Sequence, residues 1–491
     1  MSSNRNTKTE TIKAEIVIIG GGGAGMTAAV GAAKAGVTNI VILEKAAALG
    51  GNTDLCHGIF AVESPAQKRL GIKTTRDEVF KKQMDHARWT IDPRLVRTVI
   101  SKSGEMIQWL EDRSVKFNTV VGEFLPGGGS FFHMLNSGPQ AACGHSIVEA
   151  LVKECRSLGV NILCETAAKK ILTDEKGSVK GVLAQTKDKE LIINAKGVII
   201  AAGGFGANKD MLNKYLPLRG NVPIQSLPQM TGDGIVMAEE VGAFTNDNFS
   251  ILAVGPSYYT GTHAMYMLSI RPELMLVNKN GERFADEALL LNTHNYSANS
   301  LSRQPDAVCY ALLDSEVIRN ILRKRDNLSG FFKSVGQNGI WMDKIEADLK
   351  DESVKGNIKT AVTLDEIADW MKVAPSTLKA TVAEYNSYCE KGYDADFLKE
   401  NRFLLPLKKP PFYAIPCGQA YDTTTGGIRI NHRMEVIDKQ VRPIKGLYAA
   451  GDNAGSWLSD NYDLAYPGAA LSFALCSGYI AGENAAKSIK G

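Results

Sequence analysis

Apolar positions along the chain come in short blocks, each closed by glycine or charge. Ala14 to Ile19 is a β-rich apolar run, Met26 to Lys34 an alanine-rich stretch of helical character, and Asn39 to Leu43 a second short apolar run. That order predicts strand, turn, helix, strand, the opening unit of a parallel sheet. Two later blocks repeat the strand-to-glycine ending: "KGVIIAAGGFGAN", closing on Gly203-Gly204, and "IKGLYAAGDNAG", closing on Gly451-Asp452. From Val182 to Val198, short apolar runs separated by "KDK" and "AKG" predict a β-meander. Past Ala243 the pattern changes to mixed strands and helices, with helices expected over Asp314–Arg325 and Thr363–Met371. The proline-rich "LPLKKPPFYAIP" marks a return to the first pattern. Near the C-terminus "AYPGAALSFAL" reads as a helix start, with Pro467 at its first turn. The organisation expected is therefore residues 1–242, an insertion over 243–410, and a resumption over 411–491.

Composition narrows the class. The chain has 491 residues, more than one ordinary core takes, with 44% hydrophobic and 22% charged residues and a net charge of +3. That balance gives no footprint for nucleic acid, and the run Arg323-Lys324-Arg325 reads as a solvated helix face. A membrane span needs about 18 or more uninterrupted apolar residues, and the sequence has no such stretch. The start, "MSSNRNTKTETIKAE", lacks an apolar core and reads as a loose tail before a cytoplasmic protein. Eight scattered cysteines contain no Cys-x-x-Cys pair, and the histidines show no metal-ligand spacing.

The glycines after the first strand carry the chemistry. Gly20, Gly22 and Gly25 form Gly-x-Gly-x-x-Gly, with Gly23 and Ala24 between them, and the second strand ends in Glu44-Lys45. In strand–helix–strand context this is a dinucleotide fingerprint. Gly20 makes the turn, Gly22 admits a pyrophosphate, and Gly25 lets helix and strand pack closely. Glu44 is placed to accept ribose hydroxyls and disfavours a 2′-phosphate. Gly50, Gly51, Asn52 and Thr53 follow in the manner of flavoproteins. Three glycine-ended strands so far apart in sequence suit an extended cofactor, so FAD is expected rather than NAD. Ala168, Ala202, Gly203, Asp233, Gly451, Asp452, Ala470 and Leu471 are further candidates for the cofactor site. The sequence has no second fingerprint, haem motif or cluster motif, which leaves the electron donor or acceptor unidentified.

At this point the chain resembles the FAD-dependent fumarate reductase, succinate dehydrogenase and 3-ketosteroid dehydrogenase group. The matching segments are "GGGGAGMTAA", "LEK", "GGNT", "AAGGFGAN", "TGDGIVMAEEVGA", "NGERFADE", "TTGGIRI" and "GLYAAGD", in the group's order. The resemblance implies an α/β fold: a Rossmann-like, glutathione-reductase-type FAD-binding domain split by an inserted α+β capping domain. It also implies FAD held without a covalent link, because Asn52 stands where relatives with attached flavin carry histidine. The substrate end departs from the fumarate pattern. Tyr266-Met267, Leu291, Thr423 and a position near Ala465 stand where the resemblance places groups that bind two carboxylates and deliver a proton. Arg271 and Arg283 remain as cations, Arg283 reading as a structural ion pair.

The 3-ketosteroid dehydrogenases place a tyrosine and a backbone N–H at this helix start to grip a ketone oxygen; the counterparts are Tyr466 and Ala470. A neutral phenol and a helix N-terminus both stabilise charge building on that oxygen. The alternative for Tyr466 is a packed boundary tyrosine. Tyr266 is the candidate partner on the capping side, with Tyr258, Tyr259, Asp422 and His263 in reserve. His145 is expected to start a helix near the FAD, and the glycine loop Gly127 to Gly129 follows no strand. The function expected is an FAD-dependent oxidoreductase on CH–CH bonds, desaturating a small cyclic ketone or reducing the matching enone. A reductase of an unsaturated carboxylate and an electron-relay flavoprotein are the alternatives.

Overall fold

In the computed structural model, Ile16–Ile19 is buried along its whole length and lies inside a six-stranded sheet. The structure describes residues 8–122, 130–135, 144–215, 226–245, 250–253, 263–289, 294–324, 337–418, 421–459, 462 and 466–490. Strand order in that sheet is Glu435–Ile437, Pro443–Ala449, Gly197–Ile200, Ile16–Ile19, Ile40–Leu43, Asn161–Leu163. All neighbours run parallel except the antiparallel edge pair at Glu435–Ile437. The three strands that end in glycine are adjacent and parallel, so their C-terminal ends share one edge. Parallel strands covered on both faces need continuous apolar runs, which "IVII", "IVIL" and "GVII" supply.

Two helices pack together below that edge. The fingerprint helix, Gly23–Lys34, lies against the C-terminal helix, Ala469–Lys490. A Cβ on Gly478 would fall 2.1 Å from the Ala24 carbonyl oxygen, and one on Gly482 would fall 2.0 Å from that of Ala28. Glycines one turn apart thus let the two backbones touch, and the start of the C-terminal helix is fixed relative to the fingerprint turn.

A second core belongs to the insertion. Its sheet has four strands in the order Met275–Asn278, Val308–Asp314, Phe412–Gly418, Lys359–Ala361, over an apolar cluster separate from the main one. The expected helices are present as Ser315–Arg323 and Leu364–Met371, capped by Asp314 and Thr363.

The expected boundaries need correction. Phe412–Gly418 pairs along its whole length with Val308–Asp314, so the insertion runs to Gly418, beyond the anticipated return at 411. At the other end, Ala243 and Thr245 still bridge to Asp438 and Ile428 of the first domain. The tail also differs: Lys8–Lys13 is a strand, parallel to Lys189–Asn194. A polar strand of this kind is held by backbone bonds and leaves no apolar signature. Among the described residues, no helix is long and apolar enough to cross a membrane.

Candidate active site

The sheet edge opens into a cavity between the fingerprint turn and the C-terminal helix. Of the residues singled out in the sequence, Gly20, Gly22, Gly23, Ala24, Glu44, Lys45, Gly51, Asn52, Thr53, Ala168, Ala202, Gly203, Asp233, Gly451 and Asp452 line it. Gly25 and Gly50 stand behind the wall. A Cβ at Gly25 would fall 1.9 Å from the Gly20 carbonyl oxygen, so that glycine serves helix-to-strand packing. Gly20 turns the chain at φ +107°. Leu471 is buried in the main core. Thr166, Gln229, Met230 and Ala474 also line the cavity; nothing in their local sequence marks them.

The walls suit a dinucleotide. A Cβ at Gly22 would meet nothing nearer than 3.7 Å, so the space in front of this backbone is open to a ligand. The fingerprint helix has no side-chain cap and no acid in its first turn, which leaves its positive pole for an outside anion. Glu44 accepts from the backbone N–H of Gly21 at 2.8 Å and of Ala46 at 2.7 Å. Both bonds fix the carboxylate at the adenosine end and leave lone pairs for ribose hydroxyls. Across that end, the Lys45 ammonium lies 2.7 Å from Asp233 and 2.6 Å from the Thr231 hydroxyl. Burial pushes the Asp233 carboxyl up, but the Lys45 ion pair outweighs it and holds the group below the usual range.

At the opposite end, three polar side chains are in series. The Asn52 amide donates to the Thr423 hydroxyl at 3.3 Å, and that hydroxyl donates to Asp452 at 3.0 Å. Burial raises the Asp452 carboxyl to about 6, against the pull of the Thr423 bond. Asn52, which stands where relatives with attached flavin carry histidine, thus touches Thr423, one of the positions that depart from the fumarate reductase pattern.

The start of the C-terminal helix differs from expectation. Tyr466 is buried, with its ring against Phe60 and Phe131 at centroid distances of 5.4 and 5.3 Å. Its hydroxyl donates to the Val79 carbonyl at 3.3 Å. The Ala470 N–H instead donates to the hydroxyl of Tyr462 at 3.0 Å. Gly468, at φ +80°, turns the chain between Tyr466 and the helix. The phenol on the helix pole is therefore Tyr462, which the sequence reading did not single out. Ala470 lies one turn ahead of the cavity-lining Ala474 on the same face, so this pole continues the cavity wall.

On the capping side, Tyr266 stands on the helix His263–Ser269, half-buried against the cap core. Arg271 is buried and paired with Glu273 at 2.6 Å. Arg283 pairs with Glu287 and Asp394, both at 2.9 Å, and Lys399 adds a bond to Glu287 at 3.2 Å. His145 starts a helix and bonds Asp54, next to Thr53, at 2.8 Å. That bond raises its pKa. Leu291, Ala465, Tyr258, Tyr259, the loop 127–129 and the side chains of His263 and Asp422 lie outside the described residues.

Comparison with known proteins adds a family match and three likenesses. The family described as FAD binding domain matches residues 15–472. The vinyl phenol reductase of Lactiplantibacillus plantarum is 31% identical over 488 residues, covering 96% of each chain. A flavocytochrome c3 fumarate reductase in its open conformation superposes with a TM-score of 0.74 at 26% identity, over 98% of this chain and 79% of that one. The 3-ketosteroid Δ1-dehydrogenase of Sterolibacterium denitrificans, in complex with 1,4-androstadiene-3,17-dione, shares the fold with a TM-score of 0.80 at 19% identity, over 97% of this chain and 100% of that one.

Proposed function

The chain belongs to the FAD binding domain family and is an FAD-dependent oxidoreductase; from that premise we propose that it adds hydrogen to, or removes it from, a carbon–carbon bond conjugated with a neutral oxygen. The oxygen is the ketone of a cyclic enone or the hydroxyl of a vinyl phenol. A single observation carries this choice: Arg and Lys are missing from the segments where the resemblance places groups that would bind two carboxylates. The sequence has no Arg or Lys from Ala243 to Ile270, from Phe284 to Ser302, from Pro410 to Ile428 or from Ala454 to Ala486. The cap arginines Arg271 and Arg283 are already neutralised by buried acids. A dicarboxylate bound there would leave its charges unpaired. The likeness to a vinyl phenol reductase along the whole chain supports a neutral, phenolic substrate.

FAD, when bound, supplies or accepts the hydride. It is held without a covalent bond, by the fingerprint turn, Glu44 and the wall from Asn52 to Asp452. Tyr462 takes the part first expected of Tyr466. Its hydroxyl accepts the Ala470 N–H, and a hydroxyl that accepts one bond becomes a stronger donor for the next. Aimed at the substrate oxygen, it stabilises the negative charge that an enone builds there, and equally the charge of a phenolate. For a vinyl phenol the donor acts one step later: loss of the phenol proton and protonation of the outer vinyl carbon give a quinone methide, whose oxygen gains charge when hydride reaches the carbon next to the ring. Tyr266 is the candidate for moving the proton at the carbon next to the oxygen-bearing system.

The test is a steady-state assay with a reduced viologen dye as electron donor. Initial rates with 4-vinylphenol or cyclohex-2-enone at least tenfold above those with fumarate are expected. The opposite ranking would refute the reading of the pocket. Acid precipitation should release the flavin intact into the supernatant.

A further inference from the structure

We propose that the series Asn52–Thr423–Asp452 is a proton store of the cofactor site: Asp452 takes up a proton when the bound flavin gains electrons and gives it back to solvent when the flavin loses them. Asn52 and Asp452 both line the cavity. The two bonds between them run in one direction, amide to hydroxyl to carboxylate, at 3.3 and 3.0 Å. Two donors in series favour the charged carboxylate, while the cavity wall disfavours it. The opposed effects leave the group poised near neutrality, at about 6.

Among the described residues, no other charge sets that poise. The turn Gly451–Asn453 carries Asp452. The C-terminal helix presents Ala474 to the cavity and the Ser477 hydroxyl to the Gly451 N–H. Strand Tyr421–Thr425 presents Thr423, and the start of the fingerprint helix presents Ala24. Besides burial, Thr423 is the one group acting on this carboxyl among the described residues. The pair Lys45–Asp233 lies at the adenosine end. Electrons added to a flavin in the same cavity are therefore a new negative charge in a place of low dielectric, and such a charge raises a neighbouring carboxyl pKa. Two electrons come from an external reductant. Asp452 adds up to one proton from solvent to those the flavin itself takes, and the sum reverses on oxidation. Nothing in this depends on which organic substrate is used.

The measurement is the flavin midpoint potential of the FAD-loaded protein from pH 5.5 to 8.5, with a reporting dye and dithionite. One extra proton per two electrons changes the redox equilibrium tenfold per pH unit, which is about 30 mV. The wild type should show that extra slope above pH 6, and Asp452→Asn should lack it. Thr423→Val removes a bond that favours the carboxylate, so its steep window should move to higher pH. Equal slopes in wild type and Asp452→Asn overturn the proposal. Should Asp452→Asn fail to hold FAD, Thr423→Val decides: an unmoved window overturns it, and an upward shift supports it.

Discussion

His133 has no exposed surface, and its Nε2 lies 2.6 Å from the Ser64 hydroxyl while Nδ1 lies 3.0 Å from the Phe131 carbonyl. Nδ1–H donates to the carbonyl, and the neutral ring accepts from Ser64 at Nε2. Burial lowers its pKa from 6.5 to about 4. A lowered folded-state pKa means that below pH 6.5 the unfolded chain binds a proton that the folded chain refuses. This group's contribution is intact above 6.5 and is lost as pH falls to about 4, by about 3 kcal/mol in all. Urea midpoints at pH 7 and 4.5 should show that loss in wild type and a smaller one in His133→Gln; equal losses would contradict the assignment. For the tyrosines, Tyr462→Phe should keep FAD and slow flavin reoxidation by an organic substrate roughly 100–1000-fold. Tyr466→Phe should cost about 1 kcal/mol of stability and leave that rate within a few-fold. Stopped-flow absorbance of both variants separates them, and the reverse pattern would return the role to Tyr466. The sequence brought Tyr466 forward because its Tyr-Pro-Gly segment resembles the one with which the 3-ketosteroid dehydrogenases grip a ketone oxygen. The turn at Gly468 carries its ring to Phe60 and Phe131 instead, and no local periodicity announces that Tyr462 folds back onto the N–H.

At the scale of elements, the contact between the two helices holds the cofactor wall in place. Gly478→Val would drive a side chain into the Ala24 carbonyl, where a Cβ alone falls at 2.1 Å. The expected cost is about 1–3 kcal/mol or more, with loss of bound FAD, because Ala24 lines the cavity. Thermal melting and flavin content of the purified variant measure both; a protein that keeps its flavin and its melting temperature would refute this view of the helix pair. The buried strands were legible because both faces are covered and their sequences are unbroken apolar runs. Lys8–Lys13 was not, since "KTETIK" alternates without an apolar face and is held by backbone bonds to Lys189–Asn194. The return from the insertion was misplaced by eight residues for a related reason. The prolines ahead of Phe412 read as the return to the first domain, yet the strand they lead into belongs to the cap sheet.

At the scale of the whole molecule, the cap is a separate core tied by buried ions rather than a surface that offers charge to a ligand. Arg283→Leu would leave Glu287 and Asp394 short of a partner, at a cost of about 3–5 kcal/mol, with the flavin absorbance of the folded protein unchanged. Denaturant unfolding followed by tryptophan and by flavin signals tests that. The sequence showed the FAD domain through its glycines and Glu44, because backbone turns of that kind restrict residue type. It showed the substrate end only as missing groups, since phenol and amide contacts have no fixed spacing. The choice of a neutral oxygen over two carboxylates is tested most directly by single-turnover reoxidation. FAD-loaded protein is photoreduced without oxygen, then mixed with 4-vinylphenol, cyclohex-2-enone or fumarate while flavin absorbance is followed. Reoxidation by the phenol or the enone at least tenfold faster than by fumarate is the predicted result; fumarate reoxidising the flavin fastest would contradict it.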